Sequence, residues 1–314
     1  MGFVGRTLLI LLVAAAACAD TNNLTGGEDL PTQDAGDTKK KDSGGTGVID
    51  DSGAITPPTG RCDPNKKFDA PVLVDDFDPE ATTTKSAVLS NDELEVFFLR
   101  YTGAQAGVWD LRHARRSSRD GTWGAVVTDT MTPGPQGFLS LSAGGKKLYF
   151  WTVNQNYRTV RSNTADNFGS TPTTYVSPNA PWSFIVDADD TVYFYKFNEG
   201  GINDRFIVRA AFDSSGYSGG TKVPNIHVDG YADQRPVLNK SETVMYFGSN
   251  RPGGKGLDDV WVARRKSKQE EFEPGKLVGE LGTEDPDYVT WVSDDDCIVY
   301  LDRASHVYMA KRPL

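Results

Sequence analysis

The chain has 314 residues and a formal charge of −10, from 33 basic and 43 acidic side chains. That balance leaves no basic footprint for nucleic acid. Three distant cysteines (Cys18, Cys62, Cys297) and three isolated histidines (His113, His227, His306) offer no zinc-type spacing, and no motif asks for a cofactor.

In chain order, the first element is an export signal over residues 1–17. Arg6 gives a positive start, Leu8 to Val13 are apolar, and Ala14 to Ala17 are small. The run is shorter than the ~20 apolar residues of a membrane span and fits a cleaved secretory signal. Ala15-Ala16-Ala17-Cys18 resembles a bacterial lipobox, with Ala15 where a larger aliphatic residue is usual; plain cleavage is the alternative. The resemblance implies lipidation of Cys18 and attachment to a membrane, as an outer-membrane lipoprotein of the cell envelope facing the periplasm or the exterior.

Residues 18–65 follow as an acidic tether. Between 19 and 65 there is no aromatic residue, and there are five Leu, Val or Ile among nine acids and four bases. Such a segment cannot bury enough apolar surface to offset its chain entropy, so it is expected to be disordered.

From residue 66 the composition changes: 32 of the 33 aromatic residues lie in 66–314. Short β-rich runs alternate with Gly, Asp, Asn and Pro, which indicates an all-β domain. The clearest unit runs from Pro236 to Phe247, through a glycine-rich loop at Arg251–Leu257, to Asp259-Val260-Trp261-Val262-Ala263-Arg264-Arg265. It recurs 149 residues earlier, where Phe97-Phe98 match Tyr246-Phe247 and Asp110, Ala114, Arg115 and Arg116 match Asp259, Ala263, Arg264 and Arg265. The anchor aromatics Phe97, Tyr149, Tyr193, Tyr246 and Tyr300 are spaced by 52, 44, 53 and 54 residues, the length of a propeller blade. Each unit reads as strands a, b, c and d, with strand d opened by an aromatic: Trp123, Phe168, Tyr217 and Phe272. The last unit stops after strand c, and Phe68-Asp69-Ala70-Pro71-Val72-Leu73-Val74 has the missing strand-d pattern. A five-bladed antiparallel β-propeller over 66–314, with an N-terminal strand completing blade five, would leave no open sheet edge.

The string Val244 to Arg265, with Ser249-Asn250-Arg251-Pro252-Gly253-Gly254 and Asp259-Val260-Trp261, resembles the WD40-like repeat of TolB-type propellers. The match is degraded in the second, third and fifth units. The resemblance implies an extracytoplasmic scaffold that binds a protein or carbohydrate ligand without catalysis.

Strand direction puts the d-to-a and b-to-c loops on one face, and the ligand-binding candidates there are Arg100, Trp151, Trp182, Lys196, Tyr231, Arg251, Tyr288 and Arg303. The alternative is a five-bladed glycoside hydrolase, which needs two carboxylates about 5–9.5 Å apart. The acids nearest to inner strands, which themselves read as free of acids, are Asp233 and Asp287. Acidic turns at Asp187, Asp189, Asp190 and Asp294–Asp296 admit calcium but read as ordinary hairpin turns, so no metal is expected. Cys62 and Cys297 are the two cysteines left once Cys18 is acylated, and export permits a disulfide. Cys297 opens strand b of blade five, and Cys62 lies six residues before Phe68. Two strand spacings, roughly 10 Å, separate those starts, which the leader 63–67 can cover. The alternative is a packed Cys297 thiol and a loose Cys62.

Overall fold

The computed structural model describes residues 61–314, apart from short stretches at 75–82, 102, 104–108, 153–154, 175–183, 187–190, 199–200 and 212–219, together with 48–49 and 55–56. The signal segment and Cys18 lie outside the described residues. Two pairs of β-branched residues in the stretch read as a tether, β1 (Val48–Ile49) and β2 (Ile55–Thr56), form a minimal antiparallel hairpin.

Five four-stranded antiparallel sheets follow. Blade one is β4 (Thr84–Leu89), β5 (Glu95–Tyr101), β6 (Trp109–Arg115) and β7 (Val127–Asp129). Blade two is β8 (Gly137–Leu141), β9 (Lys147–Thr152), β10 (Gln155–Val160) and β11 (Thr173–Thr174). Blade three is β12 (Phe184–Val186), β13 (Thr191–Asn198), β14 (Gly201–Ala211) and β15 (Thr221–Lys222). Blade four is β16 (Asp233–Leu238), β17 (Val244–Ser249), β18 (Asp259–Arg264) and β19 (Lys276–Leu277). Blade five is β20 (Asp287–Val292), β21 (Ile298–Arg303) and β22 (His306–Lys311), completed by β3 (Val72–Leu73). The first strands β4, β8, β12, β16 and β20 touch in turn, and β20 returns to β4, so the ring is closed around a central channel. The chain is a five-bladed β-propeller, and its described residues contain no helix.

The repeat has a physical basis in each blade. The anchor aromatics are buried in the second strand: Phe97, Tyr149, Tyr193, Tyr246 and Tyr300 are each under 5% exposed. Burying such a side chain stabilises the fold by roughly 1.5–3 kcal/mol. The hairpin joining first and second strands ends in a left-handed residue, at Glu93 (φ 64°), Gly145 (66°), Glu242 (54°) and Asp296 (56°). Glycine tolerates that conformation best, yet three blades place an acid there, and each acid is engaged. Tyr193 donates to Glu242 at 2.9 Å, Tyr246 donates to Asp296 at 2.5 Å, and Arg61 pairs with Glu93 at 2.7 Å. The tyrosines belong to one blade and their acids to the next, so these bonds fix adjacent blades to each other.

An arginine after the third strand completes the unit. Arg116, Arg161, Arg265 and Arg312 donate through Nε to the carbonyls of Glu93, Gly145, Glu242 and Asp296 at 2.6–2.8 Å. The same guanidinium groups cover the strand-d aromatics Trp123, Phe168, Phe272 and Phe68 at 3.8–4.6 Å. One side chain therefore staples the inner hairpin to the outer strand, through a hydrogen bond and a cation–π contact.

The closure uses the same parts. Leu73 pairs with Tyr308 and Val72 with Met309. Cys62 and Cys297 are disulfide-bonded with Cα atoms 5.6 Å apart, across 235 residues of sequence. Arg61 bridges Glu93 of blade one and Asp295 of blade five, so packing against the propeller begins by Arg61, ahead of the boundary read at residue 66.

Candidate functional site

Two rings of polar groups occupy the end of the propeller where the d-to-a and b-to-c loops meet. The outer one is structural. Asp233 and Asp287 open β16 and β20, correcting the reading of inner strands free of acids, and both are fully buried. Arg251 pairs with Asp233 at 2.8 Å and also donates to the carbonyl of Ile226. Arg303 pairs with Asp287 at 2.5 Å and donates to the carbonyl of Leu281 at 2.7 Å. In both blades an arginine thus ties the incoming d-to-a loop to the first residue of the inner strand. Burial leaves the two carboxylates facing protein cations, Asp233 beside Arg251 and Asp287 beside Arg303.

The glycine-rich loop has a comparable explanation. The backbone N–H groups of Lys255 and Gly256 each donate to the buried Asp259 carboxylate at 3.1 Å. A Cβ on Gly254 would lie 1.8 Å from Asp259 Oδ2, and one on Gly282 would lie 2.5 Å from Oδ1. In the Gly-Gly-Lys-Gly run, Gly254 is set by this side chain, Gly253 by its φ of 109°, and Gly256 by the backbone oxygens of Thr283 and Asp285 at 2.6 and 2.8 Å from a Cβ there.

The inner ring is different. Near the mouth, the inner strands of four blades are bulged, at Lys85/Val88, Gly137/Ser140, Gln234/Val237 and Val289/Trp291. In three of them a non-glycine residue takes a left-handed conformation: Ser86 (φ 58°), Phe138 (54°) and Arg235 (51°). Such positions cost of order 1–3 kcal/mol and concentrate at functional sites. All three residues line one small recess at the channel mouth, with room for about 30 Å³, beside Tyr288, Thr290 and Asp302.

One cation in the recess and one beside it lie against aromatic faces. The Arg235 guanidinium lies 3.6 Å from the Tyr288 ring centroid and 4.2 Å from that of Phe138. Lys85 Nζ sits 3.8 Å over Trp109 and donates to the carbonyl of Gln136 at 2.9 Å. Burial pulls the Lys85 ammonium down to about 8, with Asp302 opposing and Arg235 reinforcing. Burial pushes the Asp302 carboxyl up to about 6, against the Ser86 N–H that donates to it at 2.7 Å and the charges of Arg235 and Lys85. Tyr288 donates to Asp258, which also accepts from Gln234 at 3.1 Å, and burial holds the Tyr288 phenol above its usual range. Gly248 makes room for that ring: a Cβ there would lie 2.8 Å from two of its carbons.

Of the residues singled out from sequence, Tyr288 belongs to this recess, and Trp151 adjoins it through Phe138, 6.3 Å between rings. Arg100, Lys196 and Tyr231 are half-buried and do not line it. Trp182, Asp187, Asp189 and Asp190 lie outside the described residues. The acidic turn of blade five is bound elsewhere: Asp294 accepts from Ser241, Asp295 from Arg61, and Asp296 from Tyr246. Two of the three histidines have acidic neighbours in space. His113 Nδ1 lies 2.6 Å from Asp129 Oδ2, and His227 lies between Asp233 and Asp204 at 3.1 and 3.0 Å. Among the described residues no His, Cys, Asp and Glu group is arranged to hold a metal. Sequence reasoning missed Lys85, Ser86, Arg235 and Asp302.

The fold and its mouth define a β-propeller with one polar, aromatic-walled recess at the loop end of its channel. No protein-family model matches the sequence, and no curated protein matches it. Among solved structures, TolB from Acinetobacter baumannii is similar at 14% identity and a TM-score of 0.45, over 73% of this chain and 54% of that one. A Hadza microbial sialidase is similar at 10% identity and 0.42, over 75% of this chain and 66% of its own. A protein of unknown function from Dyadobacter fermentans is similar at 12% identity and 0.42, over 76% of each chain. This chain spans about half the length of that TolB. Likenesses this distant carry no functional inference.

Proposed function

We propose that this chain is an extracytoplasmic binding module that seats a protein or carbohydrate ligand at the loop-end mouth of its channel and releases it chemically unchanged. The observation that carries the reading is the convergence of three left-handed, non-glycine bulge residues from three blades on one recess. Strained residues of this kind concentrate at ligand sites, and here they bring Ser86, Phe138 and Arg235 to one place. The proposed placement outside the cytoplasm rests on the signal-like segment and on Cys18, acylated at the mature N-terminus. Mass spectrometry of the processed protein tests it, since a mature end elsewhere without acyl chains removes the anchor.

The binding half is tested by probing glycan and peptide arrays with the full chain and with Arg235→Ala. The wild type is expected to capture ligand that is recovered intact, and the variant to lose it while keeping its melting temperature. Turnover of a bound sugar that disappears in Asp233→Asn or Asp287→Asn would install the glycoside hydrolase instead.

A further inference from the structure

We propose a second ligand site, separate from the channel mouth: the cleft between blades five and one takes a free carboxylate amphiphile with an unbranched alkyl chain of about ten carbons. The proposal does not depend on the mouth being a ligand seat.

The room comes first. Two cavities lie between the sheet of blade five and the loop that joins β6 to β7 in blade one. The inner one, of about 210 Å³, reaches Leu89 and Cys297. The outer one, of about 360 Å³, ends at β3. Arg116, Arg119, Tyr300, Met309 and Lys311 line both, so the two form one slot. Tyr300, Met309 and Val72 stand beside one another in register and make its floor, a row of about 10 Å across two strand spacings.

Charge sets one end of the ligand. The inner cavity is lined by five cations and two acids, in a chain of net charge −10. Three of the cations have structural partners: Arg61 holds Glu93 and Asp295, and Arg116 and Arg312 are staples. The other two stand open where the cavities join. Lys311 is exposed, and its ammonium has no partner among the described residues. Arg119 is half exposed; its Nε donates to the Asp92 carbonyl at 3.2 Å and lies 4.0 Å from Glu93, which leaves its terminal nitrogens to solvent. Asp120 lines the same place, exposed and engaging neither cation, and opposes an anion there. A carboxylate seated between Arg119 and Lys311 meets two charged donors.

The outer cavity sets the other end. Its wall is aliphatic at β3, where Val72 is 55% and Leu73 50% exposed, with Val74 and Met309 beside them. Exposed apolar side chains gathered at a cavity mark a binding surface, and an alkyl chain laid on them leaves water together with them. Cations at the junction and aliphatic groups outside it give the order of a head and a tail. At about 30 Å³ for each water-sized group, the outer cavity holds about twelve, which matches decanoate. A peptide docks on a sheet by extending a strand edge. Here the outer strand is two residues long and follows Pro71, which has no N–H to give, so a peptide finds no ladder to extend.

The test is calorimetric titration of the full chain with hexanoate, octanoate and decanoate below their micelle thresholds, with decanol, with the soluble lipid dihexanoyl phosphatidylglycerol, and with an acetylated acidic pentapeptide. Affinity is expected to rise about two- to fourfold for each added methylene. Decanol should bind at least about fivefold more weakly than decanoate, and the lipid and the peptide should not bind. The double variant Arg119→Gln/Lys311→Gln should lose the preference for decanoate over decanol. Val72→Ser/Leu73→Ser should flatten the chain-length series, and Asp120→Asn should bind decanoate more tightly than wild type. All five side chains are exposed, and melting temperatures check that the variants stay folded. Arg235→Ala, at the mouth, should bind decanoate as wild type does, whatever it does to array ligands. No binding of decanoate, equal affinity for decanol, a flat series in the wild type, or preference for the peptide or the lipid would overturn the proposal. So would loss of decanoate binding in Arg235→Ala, which would move the amphiphile to the mouth.

Discussion

The guanidinium of Arg312 lies 3.8 Å over the ring of Phe68, so the end of the chain grips the start of the folded domain. The contact is the blade-five copy of a staple found with Arg116, Arg161 and Arg265. Among the four staples described, the one in blade five joins the most distant parts of the chain. Phe68→Ala is expected to cost about 3–5 kcal/mol, and Arg312→Ala to lower stability as well, by leaving the Asp296 acid short of a partner. Urea unfolding checks both, and a Phe68→Ala midpoint equal to wild type would show that the Arg312–Phe68 staple is dispensable.

The Cys62–Cys297 bond fastens the same seam across 235 residues. In the chain-entropy model a loop this long contributes up to about 5 kcal/mol. The double variant Cys62→Ser/Cys297→Ser, and the wild type under reductant, should melt at matching and lower temperatures. Unchanged melting would place ring closure in β3 and the arginine staple alone.

Asp302 should make stability depend on pH. Its folded value of about 6 lies above the ordinary value of about 3.9, so the native state binds more protons between those limits. Stability is therefore greatest below about pH 4 and falls as the pH rises through 6, by at most ~3 kcal/mol. Asp302→Asn removes the cost of ionisation. It should be more stable than wild type by about 1–3 kcal/mol at about pH 7.5 and show no advantage near pH 4. Denaturation at the two pH values measures this; a variant less stable at both would mean that the ionised form is the one the fold prefers.

Gly248 should be indispensable to the recess. Its missing Cβ would stand 2.8 Å from the Tyr288 ring, which Arg235 covers on β16. Gly248→Ala is expected to cost about 1–3 kcal/mol and to abolish ligand capture by displacing that ring. Capture at wild-type affinity would show that Tyr288 has no part in it.

The architecture was legible in sequence because each blade repeats a burial pattern. An aromatic in the second strand, an arginine after the third and an aromatic opening the fourth have to recur at blade spacing for the staples to form. Even ring closure was visible, since Phe68 carries the same strand-d signature as Phe272. The recess was not legible, because its residues depart from the pattern. Ser86 and Arg235 stand immediately before Ala87-Val88-Leu89 and Pro236-Val237-Leu238, the segments read as inner strands, and only a bulge turns them toward the channel. Asp302 is adjacent to Arg303, but the register gives Asp302 to the mouth and Arg303 to a buried ion pair. Alternation along a strand does not reveal a bulge, so charged side chains beside one are assigned to the wrong face.

The most direct measurement of the central claim is amide hydrogen exchange of the full chain with and without a ligand captured from the arrays. A seat at the channel mouth predicts slowed exchange confined to the loop ends of the inner strands, around Lys85–Ala87, Gly137–Leu139, Gln234–Val237 and Tyr288–Thr290. Protection at the opposite end, around the Glu93, Glu242 and Asp296 hairpins, or along the outer strands, would contradict it.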